Sequence, residues 1–203
     1  ENKTYQLKRI LLNWYKNNKR SFSWRNTNDP WKILLIEIIS QQTQINRANT
    51  YYQKFIKKFP TPESMSKSSL KTILKMWSGL GYNIRAKRIY ESSKILAEKG
   101  FEEIYPNFEL LPGIGQYTKN AILSFAYGDK VLAVDTNLER IITRYFGVDN
   151  TKDYVRKYSN LLLEDINSKD LNQAFMDFGS SVCTSSKTKC DICPLEKSCK
   201  KYF

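Results

Sequence analysis

One stretch, residues 111–135, constrains the fold of this 203-residue chain more than any other. It opens with Gly113 and Gly115, continues as helix-forming sequence, and ends in an apolar run that delivers Asp135. Two glycines placed two residues apart before a helix predict a tight turn in which both adopt positive φ. The first N–H groups of that helix then stay free to bind a phosphate. The alternative is a plain corner between two packed helices.

The charge balance predicts a polyanionic partner. The formal net charge is +13, from 33 lysines and arginines against 20 aspartates and glutamates, and nucleic acid is the polyanion that suits it best. A generally lysine-rich proteome would give the same count without DNA. The chain has no histidine, so catalysis must use carboxylates, tyrosine or lysine. No apolar run approaches the length of a membrane span, and we expect an intracellular protein that does not bind a membrane.

Apolar side chains recur at helical spacing through most of the chain, whereas alternation with a period of two is missing. Only residues 130–134 have the composition of a short extended piece. The length fits one large domain or two small ones, and the pattern predicts an all-α fold. The predicted helices cover residues 5–18, 31–40, 51–59, 69–77, 116–123, 137–145, 152–166 and 170–181.

One acid, Glu37, interrupts a predicted helix that is apolar on nearly all sides. Burying an ionised carboxylate there is costly unless it is paired or functional, so apolar surroundings favour the neutral acid. Gln41 and Gln42 follow at the end of this helix, where amide side chains can read base edges or fill a gap in a base stack. An ordinary polar helix end is the alternative.

A second glycine turn carries Tyr82 at its tip, and Arg85, Lys87 and Arg88 follow in a basic helix. An aromatic residue flanked by cations suits stacking on bases together with phosphate contact. It suits core packing equally well.

All four cysteines lie within the last 21 residues, as Cys183-x6-Cys190-x2-Cys193-x5-Cys199. Two disulfides would require an oxidising compartment. A zinc ion held by four thiolates and a [4Fe–4S] cluster both fit this spacing, which does not separate them.

Taken together, this cysteine spacing, the turn at residues 111–115 and Val134-Asp135 resemble the endonuclease III and MutY superfamily of helix–hairpin–helix DNA glycosylases. The resemblance covers essentially the whole chain. It implies a [4Fe–4S] cluster bound by Cys183, Cys190, Cys193 and Cys199. It also implies two helical domains, residues 23–133 as a six-helix barrel with the hairpin and residues 1–22 plus 134–203 as the cluster domain, with a base extruded into the cleft between them.

The resemblance implies a monofunctional enzyme, because Tyr117 stands where bifunctional relatives carry the lysine that forms a Schiff base. Lys119 lies on another face of the helix. Residues 77–82 are similar to MutY-type adenine glycosylases, whereas the residue after Asp135 is threonine in place of their glycine. Arg144 and its neighbours are closer to the thymine glycosylases that act on T·G mismatches. We favour excision of adenine opposite guanine or 8-oxoguanine, with thymine or uracil opposite guanine as the alternative. The sequence ends four residues after Cys199, so we expect no C-terminal 8-oxoguanine-recognition domain.

By resemblance, Glu37 protonates the departing base and Asp135 stabilises the sugar cation, with Tyr117 completing the catalytic set. The partner is double-stranded DNA containing a mismatch or a damaged base, bound by a monomer at the nucleoid. The implied DNA-binding residues are Gln41, Gln42, Tyr82, Gly113, Gly115 and Asn137. A non-catalytic DNA-binding module with a structural metal site is the alternative from another class, and it would need neither acid.

Overall fold

The computed structural model describes residues 2–200, which form ten α-helices and no β-strand. This confirms the all-α prediction. The helices are α1 Lys3–Asn18, α2 Pro30–Ser40, α3 Ile45–Lys58, α4 Pro62–Ser66, α5 Leu70–Trp77, α6 Ile84–Ile104, α7 Gln116–Ile122, α8 Thr136–Phe146, α9 Thr151–Leu163 and α10 Ser168–Ser181. Helix α6 contains one non-helical residue, Gly100. A single π-helical turn, Leu123–Tyr127, follows α7.

Local chemistry explains where several helices begin and end. Asp29 starts α2 by accepting hydrogen bonds from the N–H groups of Trp31 and Lys32, and Pro30 occupies the first helical position. Helix α9 ends at Leu163, before the predicted residue 166, because Asp165 adopts a left-handed conformation with φ 53°.

The segment 130–134 forms no strand, although its composition is extended-like. A side chain takes the place of a strand partner. The Asn172 amide oxygen accepts from the Ala133 N–H at 2.9 Å, and its Nδ2 donates to the Val131 carbonyl at 2.9 Å. One buried asparagine therefore satisfies backbone groups that a sheet would otherwise pair.

The chain divides into two compact units. The first, here called the central unit, is Phe22–Tyr127, and the second, the terminal unit, combines the chain up to Ser21 with the chain from Gly128. The resemblance had placed these boundaries after residues 22 and 133. Each unit has its own apolar core. The central unit buries residues such as Leu34, Leu35, Phe55, Ile73, Trp77 and Phe108, and the terminal unit buries Leu7, Leu11, Ile141, Ile142, Phe175 and Phe178.

Among residues 2–200, no helix combines the length and the apolar character needed to cross a membrane.

Candidate functional site

Glu37 lies on α2 in the central unit, among side chains that are almost all buried. Its own side chain is only 7% exposed. Neighbours on either side, including Ile36 and Ile38, are buried as well. The carboxyl group is therefore set among buried, apolar side chains of its own helix.

Gln41 and Gln42 follow α2 in a turn that continues to residue 44, here called the glutamine turn. Gln41 ends the helix, whereas Gln42 is exposed and takes a left-handed conformation with φ 55°. The Thr43 N–H donates to the Ser40 carbonyl at 3.1 Å, and the Thr43 hydroxyl donates to the Gln41 carbonyl at 3.2 Å. The turn therefore displays the Gln42 amide on the surface from a strained backbone.

Tyr82 stands at the tip of the second glycine turn, residues 78–82, here called the tyrosine turn. Its side chain is 66% exposed, the largest exposure among the tyrosines of the described chain that rank as exposed, and its φ is 47°. Residues of α3 support the turn from below. The Tyr51 hydroxyl donates to the Ser78 carbonyl at 2.6 Å, and the Arg47 guanidinium donates to the Gly79 carbonyl. An exposed ring on a supported turn can stack on a base.

Arg85 follows the packing alternative, and not the phosphate contact that the sequence left equally open. It is 4% exposed, and its guanidinium donates to backbone carbonyls at the end of α2 and in the tyrosine turn. Burial lowers its pKa, but a guanidinium remains charged at neutral pH. Sequence reasoning missed this role because a cation three residues after an exposed aromatic gives no local sign of burial.

The hairpin turn contains Gly113 and Gly115, which differ from each other. Gly113 has φ 81°, and a Cβ there would stand 2.6 Å from the Arg88 Cδ. Gly115 precedes α7 in extended backbone with φ −90°, so the prediction of positive φ at both glycines is wrong for Gly115. A residue directly before a helix usually adopts the extended region. Apart from Gly115 itself and its two neighbours in sequence, no protein atom of the described chain lies within 4 Å of the Cβ that Gly115 lacks.

Tyr117 is half-buried in the first turn of α7. Lys119, two residues later, donates its ammonium to the Glu109 carboxylate at 2.8–2.9 Å. This hydrogen bond lowers the pKa of Glu109. The lysine two residues after Tyr117 is therefore engaged in an ion pair.

Asp135 begins α8 in the terminal unit and is held by two hydrogen bonds. Its Oδ1 accepts from the Leu138 N–H at 2.8 Å, and its Oδ2 accepts from the Asn137 Nδ2 at 2.8 Å. Asn137 approaches α10 closely, since a Cβ on Gly179 would lie 2.5 Å from the Asn137 Cβ. The carboxylate is thus fixed in one orientation by backbone and side-chain donors.

Arg140 continues this network and was not singled out in the sequence. Its Nη2 donates to the Asn137 Oδ1 and to the Gly179 carbonyl, each at 2.7 Å, and its Nε donates to the Cys183 carbonyl at 2.7 Å. The Asp135 carboxylate is therefore connected through two side chains to the backbone of the first cysteine. The fork geometry of arginine makes such multiple attachment possible.

The four cysteines line one cavity of about 250 Å³ in the terminal unit. All four are free thiols, so they form no disulfide. The remaining wall is mainly apolar and includes Ile141, Phe178 and Leu195. Within the described chain, no three histidine, cysteine, aspartate or glutamate side chains are drawn together tightly enough to hold a single metal ion.

Charge and burial act in opposite directions on these thiols. Burial raises the pKa of Cys193 to about 11. The pKa of Cys190 is also raised, mainly by burial, although the nearby Arg144 guanidinium offsets part of this increase. Arg144 Nη1 lies 3.5 Å from the Cys183 sulfur and donates to the Thr184 carbonyl at 2.8 Å. A metal group that binds Cys190 and Cys193 must therefore displace their protons.

The structure brings the predicted residues together in two groups, one in each unit. In the central unit, Arg85 connects the end of the helix that carries Glu37 and the glutamine turn with the tyrosine turn. In the terminal unit, Asp135 and Asn137 are linked to the cysteine cavity.

Comparisons with known proteins add the family. The model of the family described as HhH-GPD superfamily base excision DNA repair protein matches residues 35–165. The curated adenine DNA glycosylase of Buchnera aphidicola subsp. Baizongia pistaciae is 40% identical over 202 residues, which cover 95% of this chain and 57% of that protein. The chain thus spans little more than half the length of this relative.

Two solved structures share the fold. A thermostable thymine-DNA glycosylase aligns with a TM-score of 0.89 at 29% identity, over 98% of this chain and 96% of that one. A non-covalent endonuclease III–DNA complex aligns with a TM-score of 0.78 at 23% identity, over 98% of this chain and 95% of that one. The second likeness concerns the fold alone.

Proposed function

The chain belongs to the HhH-GPD superfamily of base excision DNA repair proteins, and from this we propose that it is a monofunctional adenine DNA glycosylase. It would hydrolyse the N-glycosidic bond of adenine opposite guanine or 8-oxoguanine and act as a monomer on nucleoid DNA. The observation that carries the proposal is the 40% identity to a curated adenine DNA glycosylase over 95% of the chain. The charge of +13 supports a DNA partner.

Two carboxyl groups supply the chemistry in this proposal. Breaking a glycosidic bond creates positive charge on the sugar and negative charge on the leaving base. Glu37, buried on an apolar helix, donates a proton to the departing base. Asp135, which accepts hydrogen bonds from the Leu138 N–H and the Asn137 amide, stabilises the sugar cation.

DNA contacts are assigned to exposed or uncovered positions. Tyr82 stacks in the gap left by the extruded base, and Gln42, with Gln41, probes the partner base. Gly113 and Gly115 admit the DNA backbone. The open space beside Gly115 supports this, because no protein atom explains a glycine there. Asn137 completes the set as a contact that also orients Asp135.

A [4Fe–4S] cluster fits the cysteine cavity better than one zinc ion does. Zinc holds its ligands at about 2.3 Å around a point, whereas the four cysteines enclose about 250 Å³ with an apolar wall. Four thiolates are also the ligand set of such a cluster. We therefore assign Cys183, Cys190, Cys193 and Cys199 as its ligands. When bound, the cluster would cross-link the C-terminal loop to the end of α10, which Cys183 follows, and no step of base release depends on it.

Thymine opposite guanine is the second candidate substrate. It is favoured by the TM-score of 0.89 to a thymine-DNA glycosylase, together with Tyr117 and the residues around Arg144.

The deciding experiment is a single-turnover assay on matched duplexes that contain A·G, A·8-oxoguanine, T·G or U·G. Products are revealed by hot alkali, since a monofunctional enzyme leaves the abasic strand intact. We expect cleavage after alkali at A·G and A·8-oxoguanine, and none with Glu37→Gln. If excision were restricted to T·G and U·G duplexes, the substrate base would be thymine or uracil and not adenine. Tight mismatch binding without excision of any base would identify a binding module and contradict the proposal.

A further inference from the structure

We propose that Arg85 is a positioning residue that holds the glutamine turn and the tyrosine turn in one fixed arrangement and thereby sets mismatch discrimination. The inference rests on the proposed function for its consequence, because Gln42 and Tyr82 are the side chains assigned to probe the mispair. The structural part of the inference, that Arg85 fixes two turns of the central unit, does not depend on the proposed function.

Each of the two terminal nitrogens of the Arg85 guanidinium binds a different segment. Nη1 donates to the carbonyls of Ile38 at 3.2 Å, of Ile39 at 3.0 Å and of Gln41. Nη2 donates to the carbonyls of Leu80 and Gly81, each at 3.2 Å. One planar group therefore connects the end of α2 with a turn about 40 residues further along the chain.

The attachment reaches the peptide groups that precede two strained residues. Within residues 2–200, only three residues other than glycine have positive φ, and they are Gln42, Tyr82 and Asp165. Arg85 binds the carbonyl of Gln41, directly before Gln42, and the carbonyl of Gly81, directly before Tyr82. Strained backbone persists only where its surroundings impose it. The guanidinium supplies that constraint at both positions.

Arg85 is also bound differently from a surface cation. It has no carboxylate partner among residues 2–200, and its Nε is buried without a hydrogen-bond partner there. Its charge instead meets the carbonyl end of α2, the Trp77 ring at 5.0 Å and the Tyr82 ring at 5.9 Å. Tyr82 itself thus rests against the group that fixes its backbone.

The structure offers matched controls for a test by hydrogen–deuterium exchange. Arg85→Lys keeps the charge, but one ammonium nitrogen cannot serve both turns. Tyr51→Phe removes only the bond to the Ser78 carbonyl. Leu96→Ala opens a cavity at a fully buried site on the same helix, away from either turn.

We expect Arg85→Lys to accelerate amide exchange in residues 41–44 and 78–83 together, by about tenfold or more. Tyr51→Phe should accelerate exchange in residues 78–83 alone, and Leu96→Ala should show no selective change in either turn. Acceleration in only one turn, or in neither, for Arg85→Lys would overturn the proposal.

The functional half is tested by binding to duplexes carrying 2′-fluoro-deoxyadenosine, which resists excision, opposite guanine or thymine. In a background with native Arg85, Gln42→Ala and Tyr82→Ala should each reduce the ratio of affinities for the A·G and A·T duplexes. The fold-loss of this ratio in the double variant should be smaller than the product of the two single fold-losses. Arg85→Lys should reduce this preference about tenfold. Introducing Gln42→Ala or Tyr82→Ala into the Arg85→Lys variant should then change the preference little.

The inference would be contradicted if the fold-losses of Gln42→Ala and Tyr82→Ala simply multiplied in the presence of Arg85. It would also be contradicted if Arg85→Lys kept the full preference for the A·G duplex. If Arg85→Lys does not fold, the wild-type cycle alone decides between coupled and independent turns. A wild type that binds the mispair no better than the A·T pair would reject the proposed function, whereas the exchange experiment would still decide the structural role of Arg85.

Discussion

Replacing Asp135 by asparagine separates its charge from its structural role. Asparagine keeps an oxygen that can accept from the Leu138 N–H, so the start of α8 is preserved. It cannot accept from the Asn137 Nδ2 in the same orientation, because two amide donors would then face each other. The loss of one hydrogen bond costs about 1 kcal/mol, which lowers Tm by about 2–4 °C for a chain of this size.

The effect on catalysis should be much larger. A carboxylate about 4 Å from a cationic sugar carbon, at an effective dielectric constant of about 20, stabilises that cation by about 4 kcal/mol. Removing most of this interaction slows base release by about 10²–10³-fold. Binding to the mispair should persist, since the substitution removes a negative charge that repels phosphate.

The measurement is the single-turnover excision rate on an A·G duplex, combined with thermal unfolding. Asn150→Ala is the matched control, because Asn150 caps α9 through the Asp153 N–H at 3.2 Å and lies outside the Asp135 network. It should lower Tm by a similar amount and leave the rate unchanged. If Asp135→Asn excises adenine within about twofold of the wild-type rate, the assignment of Asp135 is wrong.

Three further predictions follow from the same geometry. Arg140→Lys should reduce the excision rate about tenfold, since one nitrogen cannot bind both Asn137 and the Cys183 carbonyl; an unchanged rate would show that the network does not orient the aspartate. Tyr117→Lys should gain a borohydride-trapped adduct and strand cleavage, whereas the wild type should give neither; trapping by the wild type would reveal another amine. The purified protein should be brown with broad absorbance in the blue, and Cys193→Ser should lose colour and stability; colourless, active protein with one zinc per chain would contradict the cluster.

Local sequence patterns predicted the helices well because each depends on neighbours along the chain. Apolar spacing located α1, α2, α5, α8 and α10, and side chains such as Asp29 and Asp135 cap the helices that follow them. The tertiary environment altered details. The extended-looking segment before Asp135 is satisfied by Asn172, which lies about 40 residues away and leaves no local signature.

The sequence by itself predicted the helical class and singled out the four cysteines and the two acids Glu37 and Asp135, because these are features of short segments. Only the tertiary structure decided what Arg85 and Arg140 do. Whether an arginine faces solvent or is buried depends on which carbonyls distant segments bring to its guanidinium. For Arg85 those carbonyls belong to the end of α2 and to the glutamine turn, 44 to 47 residues earlier in the chain. For Arg140 they belong to Gly179 and Cys183, about 40 residues later in the chain, so this arginine is an internal connector in the fold.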